Sequence, residues 1–217
     1  MGNDPNQRGN SRRWLVAGKV VTVGSSTFPA EQIVEAQWTS DHRGHVRFRT
    51  EQPPYSILAR GIEAAVLPTT QKYGMGVLTW GPLSAGWLSG RYTQASDVTN
   101  RGEGRVKTEA HKFDPSLPAN ASKIEAVGEL SKLASESGLT LPHLAVGFVL
   151  AHPAVTSVII GPRTMEQLES LLSGADTVLP ADVLDRIDEI VPPGTDLNRA
   201  DSYYVPPALK DAALRRR

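Results

Sequence analysis

The sequence predicts an α/β fold in which four parallel strands alternate with helices. Three observations predict it. Short β-branched or apolar runs recur near residues 19–23, 45–50, 75–80 and 158–160, each followed by Gly or Pro and then by a segment with helical spacing of its apolar residues. The last run, Val158, Ile159 and Ile160, is apolar without alternation, as a strand covered on both faces requires. Strand, loop and helix in repeated succession call for right-handed crossovers, which make the sheet parallel and gather the loops that follow strands at one rim.

Taken in order, residues 1–13 are rich in Gly, Asn, Pro and charge and read as a loop, with Asn10 or Ser11 placed to cap a helix near Arg12. The first strand is expected at residues 19–23, ended by Gly24. Ser25, Ser26 and Thr27 follow, and Pro29 opens a helix with Ile33, Val34, Ala36 and Trp38 on its apolar side. The second strand alternates Val46, Phe48 and Thr50 with His45, Arg47 and Arg49, then stops before Pro53 and Pro54, which permit neither strand nor helix. A helical stretch from Gly61 carries Ile62, Val66 and Leu67 and ends at Gly74. The third strand, residues 75–80, opens into the Gly- and Ser-rich residues 81–92 and a polar segment to about Ala119 that reads as a surface loop. Ser122 and Glu125 form a capping-box pattern opening a helix with Ile124, Val127, Leu130 and Leu133, which ends at Gly138. Thr140 caps the next helix, whose apolar face includes Leu144, Val146, Phe148 and Val149. After the fourth strand and its helix, a last helix holds Val183, Leu184, Ile187 and Ile190 and is closed by Pro192 and Pro193. The tail from Gly194 is expected on the surface.

Composition narrows the function classes. Lys and Arg number 23 against 23 Asp and Glu, so no net positive field argues for nucleic acid, and three closing arginines are too short for a basic tail. There is no cysteine, which removes disulfides, thiolate nucleophiles and Cys-based metal sites and fits a reducing cytoplasm. The five histidines, His42, His45, His111, His143 and His152, show no metal spacing. The longest apolar run, residues 144–151, falls well short of the roughly 20 residues a membrane helix needs. The polar start lacks signal-peptide character. A cytoplasmic protein without nucleic-acid or membrane partners is expected.

The most informative stretch is residues 158–172. Gly161 and Pro162 end the strand, and Thr164 is placed to cap a helix in which Gln167 reaches back. The N–H groups of that first turn leave the strand's carboxyl end with a partial positive charge, and Arg163 adds a planar, permanently charged fork. A phosphate suits such a place. The same residues also fit an ordinary strand-turn-helix with a surface arginine.

Four loops in order carry a family resemblance. The Gly-Ser-Ser-Thr-Phe of residues 24–28, the Glu-Gln-Pro-Pro-Tyr-Ser of 51–56, the Trp-Gly-Pro-Leu-Ser-Ala-Gly-Trp-Leu-Ser-Gly-Arg-Tyr of 80–92, and the Ile-Gly-Pro-Arg-Thr-x-x-Gln-Leu of 160–168 resemble the segments after strands five to eight of the aldo-keto reductases. That family comprises NADP(H)-dependent (β/α)8 TIM-barrel enzymes that reduce aldehydes and ketones. The resemblance implies a partial barrel: a half barrel over residues 19–191, preceded by a remnant loop and deletion join at 1–18 and followed by a tail at 192–217, all in one domain. It places Ser26 and Gln52, with Thr27 beside them, on a nicotinamide carboxamide, Trp80 against the nicotinamide ring, and Gly81, Pro82, Leu83 and Ser84 on the diphosphate. Arg91, Gly161 and Arg163 are placed at the phosphates and Gln167 at the adenine, two guanidiniums suiting NADP(H) better than NAD(H). Judged singly, each residue has a plainer role: Ser26 and Thr27 as helix caps, Trp80 as core, Gln52 as a loop group, Arg91 as a solvated charge.

The family's chemistry also needs an aspartate, a tyrosine, a lysine and a histidine after its early strands. None of Tyr55, Tyr73, Tyr92, Tyr203 or Tyr204 stands in the proton-donor motif, and residues 2–14 resemble the loop after strand three. No catalytic residue is therefore assigned. The expectation is a nicotinamide-dinucleotide protein impaired in turnover, with a small carbonyl substrate only if it is active. A non-catalytic binding or interaction protein and a functionless truncated remnant stay open beside it. Four strands cannot close an eight-strand barrel, so two open sheet edges are expected to favour self-association.

Overall fold

The computed structural model describes residue 15 and residues 17–92, 95–99 and 105–216. The helix expected near Arg12 and residue 16 of the join at 15–18 lie outside the described residues. Four strands, β1 (Gly24–Ser25), β2 (Thr50–Glu51), β3 (Gly76–Trp80) and β4 (Ser157–Ile159), form one parallel sheet in the order β1-β2-β3-β4. Helices α1 (Ala30–Arg43), α2 (Val66–Lys72), α3 (Ala95–Thr99), α4 (Arg105–Thr108), α5 (Pro118–Glu136), α6 (Leu141–Ala151), α7 (Met165–Ser173), α8 (Ala181–Ile190) and α9 (Pro207–Lys210) alternate with and follow them. The α/β class and the parallel half-barrel arrangement are thus as the sequence implies.

Register is held by close approach and side-chain bonds. A Cβ at Gly24 would fall 2.6 Å from the Thr50 carbonyl oxygen, so only glycine lets β1 and β2 meet there. Beyond the paired residues, the Gln52 N–H donates to the Ser25 carbonyl at 3.0 Å and the Tyr55 N–H to the Trp80 carbonyl at 3.1 Å, carrying the sheet into the loops of the rim. The Thr156 hydroxyl accepts from the Val77 N–H at 3.0 Å, fixing β4 on β3.

The strands are shorter and later than their apolar runs suggest. Residues 19–23 are not strand, and Val21 is 97 % exposed: the segment meets the sheet only at its end, where the Val23 carbonyl accepts from the Arg49 N–H at 2.9 Å, and one such bond does not make a β-branched run a strand. Likewise 45–49 is irregular and β2 starts only at Thr50. β4 is not covered on both faces, since Ser157 and Ile159 are exposed and only Val158 packs inward. In β3, buried Val77 and Thr79 alternate with half-buried Leu78 and Trp80, so the helices cover one face fully.

Packing lies in the helical layer. α6 is buried nearly all round, through Leu141, Leu144, Ala145, Val146, Phe148 and Val149, because α5, α7, β4 and the turn after β3 surround it. Val127, Leu130, Leu144, Val149 and Ile187 have no exposed surface, and each such aliphatic side chain contributes about 1.5–3 kcal/mol on burial. The Trp87 ring stacks on Phe113 at 5.4 Å. That contact corrects the reading of residues up to Ala119 as a surface loop: Val98 and Phe113 are each 1 % exposed, and short helices occupy part of the segment.

Three further expectations are corrected. α5 begins at Pro118, a turn before Ser122, whose hydroxyl bonds back to the Pro118 carbonyl at 3.3 Å instead of capping. On α1, Ile33 and Gln37 are buried while Trp38 is 62 % exposed and stacked on His42, because Gln37 is satisfied by Arg47, Phe48 and Met75. The tail is not simply on the surface: Asn198 and Asp201 are buried, the former donating to Asn120 at 2.8 Å and the latter paired with fully buried Lys123. No described helix alone is long and apolar enough to cross a membrane.

Candidate functional site

Because all four strands run parallel, the loops after them share one rim. At its centre the Gln52 carbonyl accepts two hydrogen bonds, from the Ser26 hydroxyl at 2.9 Å and from the Trp80 indole N–H at 3.2 Å. One backbone oxygen thereby locks together three residues expected to share a site, and the Trp80 ring is held in a fixed plane, half-buried at the end of β3. Ser26 and Gln52 are exposed.

Beneath them stands a pair to which the sequence reading gave no role. Glu51 has no exposed surface; its carboxylate accepts from the Ser25 hydroxyl and, at 3.0 Å, from the Phe28 N–H. Burial pushes its carboxyl above the usual glutamate range, and the hydrogen bonds from Ser25 and Phe28 offset part of that rise. The loop of residues 25–28 is thus folded over a buried acid, and Thr27, at φ 58°, takes the left-handed conformation the tight turn demands. α1 starts at Ala30 with Pro29 before it and no side-chain cap, so Ser26 and Thr27 are not helix caps. The signal available in the sequence was a carboxylate at a strand end just before two prolines; only the parallel pairing Ser25 to Glu51 gives it a partner.

After Trp80 the chain enters a tight series of turns. Gly81, Ser84, Ala85, Gly86 and Gly90 all have positive φ, from 47° to 108°, and two of these are non-glycine residues in sequence, a concentration of backbone strain. Left-handed turns of this kind place backbone N–H groups along a concave surface that suits an anion. Pro82 and Ser84 are buried, Leu83 packs against the core, and the buried Trp87 anchors the far side. Arg91 follows on the surface, and among the described residues it forms no ion pair.

At the other end of the rim the cap predicted for α7 is present. The Gln167 N–H donates to the Thr164 hydroxyl at 3.3 Å, and the Gln167 side-chain oxygen accepts from the Arg163 N–H at 2.9 Å, one residue earlier than a standard capping box. Gly161, Arg163 and Thr164 are exposed. β4 pairs with β3 at Ile159 and Trp80, so this anion-suited helix start follows the strand that neighbours Trp80. The structure therefore brings Ser26, Gln52 and Trp80 into direct contact, puts Gly81, Pro82, Leu83, Ser84, Gly161 and Arg163 on loops of the same rim, and puts Gln167 in the first turn of α7.

The loop after β2 is fixed from behind. The Tyr55 hydroxyl donates to Glu63 at 2.6 Å, and burial with that carboxylate pushes the phenol up; Arg60 bridges Glu63 at 2.9 Å, Asp188 at 2.7 Å and the Val191 carbonyl at 2.6 Å. Tyr55 and Arg60 are thereby committed to structure. In front, Tyr203 from the tail leans on Trp80 with ring centroids 4.7 Å apart and planes at 65°. Nothing near Tyr203 in the sequence signals a partner 123 positions earlier.

Comparison with known proteins extends this geometry. Residues 14–192 match the aldo/keto reductase family. The chain is 32 % identical over 188 residues to "Uncharacterized oxidoreductase YrpG" of Bacillus subtilis (strain 168), covering 86 % of this chain and 54 % of that protein. It is 31 % identical over 171 residues to "Probable voltage-gated potassium channel subunit beta" of Arabidopsis thaliana, covering 77 % and 51 %. It is 32 % identical over 158 residues to "Aldo-keto reductase YhdN" of Bacillus subtilis (strain 168), covering 71 % and 44 %. The chain spans about half the length of these curated relatives.

Proposed function

Because this chain belongs to the aldo/keto reductase family, we propose that it binds a nicotinamide dinucleotide along the rim, NADP(H) in preference to NAD(H), as the cofactor portion of a carbonyl-reducing oxidoreductase. The observation that carries this reading is the lock of Ser26 and Trp80 onto the Gln52 carbonyl, which presents a hydroxyl, an amide and a flat ring together. A hydroxyl and an amide pair with the two ends of a carboxamide, and an indole face suits a flat heteroaromatic ring. The left-handed turns from Gly81 to Gly86 fit a diphosphate, and Thr27 sits at φ 58° beside Ser26. Arg91 and Arg163 supply exposed guanidiniums for the terminal phosphates, Gly161 lets the chain approach closely, and Gln167 stands at the adenine end.

The dinucleotide, when bound, supplies the hydride. This chain's residues orient it: Trp80 sets the plane of the ring and the Ser26 and Gln52 groups set its rotation. No tyrosine of the chain stands in the family's proton-donor motif, so we assign no catalytic residue and expect carbonyl reduction to run about two to four powers of ten below that of an enzyme with a positioned acid. The reading places the protein in the cytoplasm with small-molecule partners.

Calorimetric titration tests the assignment. Arg163→Ala is expected to weaken NADPH by about tenfold while NADH changes little, since loss of one charged hydrogen-bonding partner to a phosphate is worth roughly 1.5–3 kcal/mol before solvent screening. Equal losses for both coenzymes would remove Arg163 from the 2′-phosphate, and no heat with either on folded protein would remove the reading altogether.

A further inference from the structure

Tyr203 occupies the very ring on which the preceding reading places the nicotinamide. Its ring stands edge-on to Trp80, and the cleft bordered by Tyr55, Ser56, Trp80, Gly81, Ser84 and Tyr203 has a volume of only about 20 Å³. That is room for about one water and far too little for a pyridine ring. Trp80 cannot retreat, because its indole N–H is bonded to the Gln52 carbonyl. Tyr203 can. It is half-exposed, it sits at φ 56°, and the positive φ of a bulky residue is a strained backbone state.

The segment before it is fixed. Asp201 pairs with fully buried Lys123, and Asn198 donates to Asn120 at 2.8 Å. Tyr203 stands two residues beyond a firm anchor, and the Ser202 hydroxyl donates to the Tyr204 carbonyl at 2.9 Å across it, so its movement is a turn of the side chain. What holds its ring down is the edge-to-face contact with Trp80 and the buried Lys112 ammonium 3.6 Å from the ring centroid, itself paired with Glu109 at 2.8 Å. Beneath the ring, the Ser56 hydroxyl is buried with no hydrogen-bond partner among the described residues, a polar atom that a group entering the cleft would satisfy.

We propose that Tyr203 is a strap on the nicotinamide platform: it covers Trp80 in the closed state and must swing off before the redox end of a dinucleotide stacks there, while the adenine end binds without moving it. The proposal rests on the dinucleotide reading and deepens it. A site competent only in the uncovered fraction shows an affinity reduced by that fraction, so a ring in place nine-tenths of the time weakens NADPH about tenfold.

Calorimetry on the full chain with NADPH and with adenosine 2′,5′-bisphosphate, which lacks the nicotinamide, separates the possibilities. Tyr203→Ala is expected to bind NADPH about tenfold tighter and the bisphosphate unchanged, whereas Tyr203→Phe, which keeps the ring, binds both as the parent does. NADPH unchanged or weaker in Tyr203→Ala, with the bisphosphate still bound, overturns the strap and leaves the dinucleotide reading standing. Equal tightening of both ligands also overturns it, since that reports a general loosening of the tail. Failure of parent and variants alike to bind either ligand removes the dinucleotide reading and the strap with it.

Discussion

Asp201→Ala offers a severe test of how the tail is held. Lys123 has no exposed surface, and its ammonium meets the Asp201 carboxylate and lies 3.5 Å from the Lys112 carbonyl. Removing one partner of a buried pair strands the other charge, at a cost of about 3–5 kcal/mol. Against a total stability of roughly 5–15 kcal/mol that is about a fifth or more, and for a chain of this size it lowers the melting temperature by about 6–20 °C. The pH dependence gives the cause away. Burial already pulls the Lys123 pKa below its ordinary 10.5, opposed by the Asp201 charge, and without Asp201 it falls further. Between the folded value and 10.5 the unfolded chain then holds one more proton than the native state, so stability rises with pH. The deficit of the variant should shrink by up to about 1.4 kcal/mol per pH unit between the variant's Lys123 pKa and the parent's, and stay constant above the latter, where both gain alike. Lys123→Met combined with Asp201→Leu, which leaves no stranded charge, is expected to recover most of the loss. Thermal and urea melts from pH 7 to pH 10 measure all three. A deficit under about 1 kcal/mol, or one independent of pH, would show that the pair does not hold the tail.

Two other expectations follow from the sheet. Glu51→Gln keeps an oxygen for the Phe28 N–H and removes a carboxylate whose pKa is raised by burial; the parent loses stability as pH climbs above about 4.5 toward the raised value, so the variant should melt at or above the parent at pH 7 and converge with it at pH 4.5. A variant markedly less stable at pH 7 would mean that the charged form is the one the fold requires. The outer strands β1 and β4 lie beside exposed Val20, Val21 and Ile159, from which we infer self-association through the sheet edges; sedimentation should show the mean mass rising with concentration, and a constant monomer mass across a hundredfold range would dispose of the idea.

Local chemistry was legible in the sequence and tertiary chemistry was not. Thr164 caps α7 and Thr140 caps α6 because each cap is a contact over three residues, and Gly138 at φ 69° ends α5 for the same kind of local reason. The pattern at Ser122 and Glu125 misled because Pro118 opens the helix a turn earlier, with its missing N–H at no cost. Residues 19–23 have the composition of a strand, yet strand formation depends on a neighbour that no local pattern supplies. Helical periodicity placed Trp38 inward and overlooked Gln37, because the three polar partners of that amide come from segments up to 38 positions away. At the site, the four loops could be located from their residues, whereas the acid under Ser25 and the ring over Trp80 needed pairings across 26 and 123 positions.

The molecule keeps its packing in one layer and its binding groups in another. α5, α6 and α8 interlock around residues with no exposed surface, while β1 and β2 are two residues long and hold the rim by a few bonds. Slow amide exchange should therefore map to the helices, with the strands exchanging through small local openings, the reverse of the order expected when a central sheet is the most protected element. Any ligand seated on the rim would spend part of its affinity stiffening it, so occupancy would be felt first as a calmer sheet edge and only later as a higher unfolding temperature.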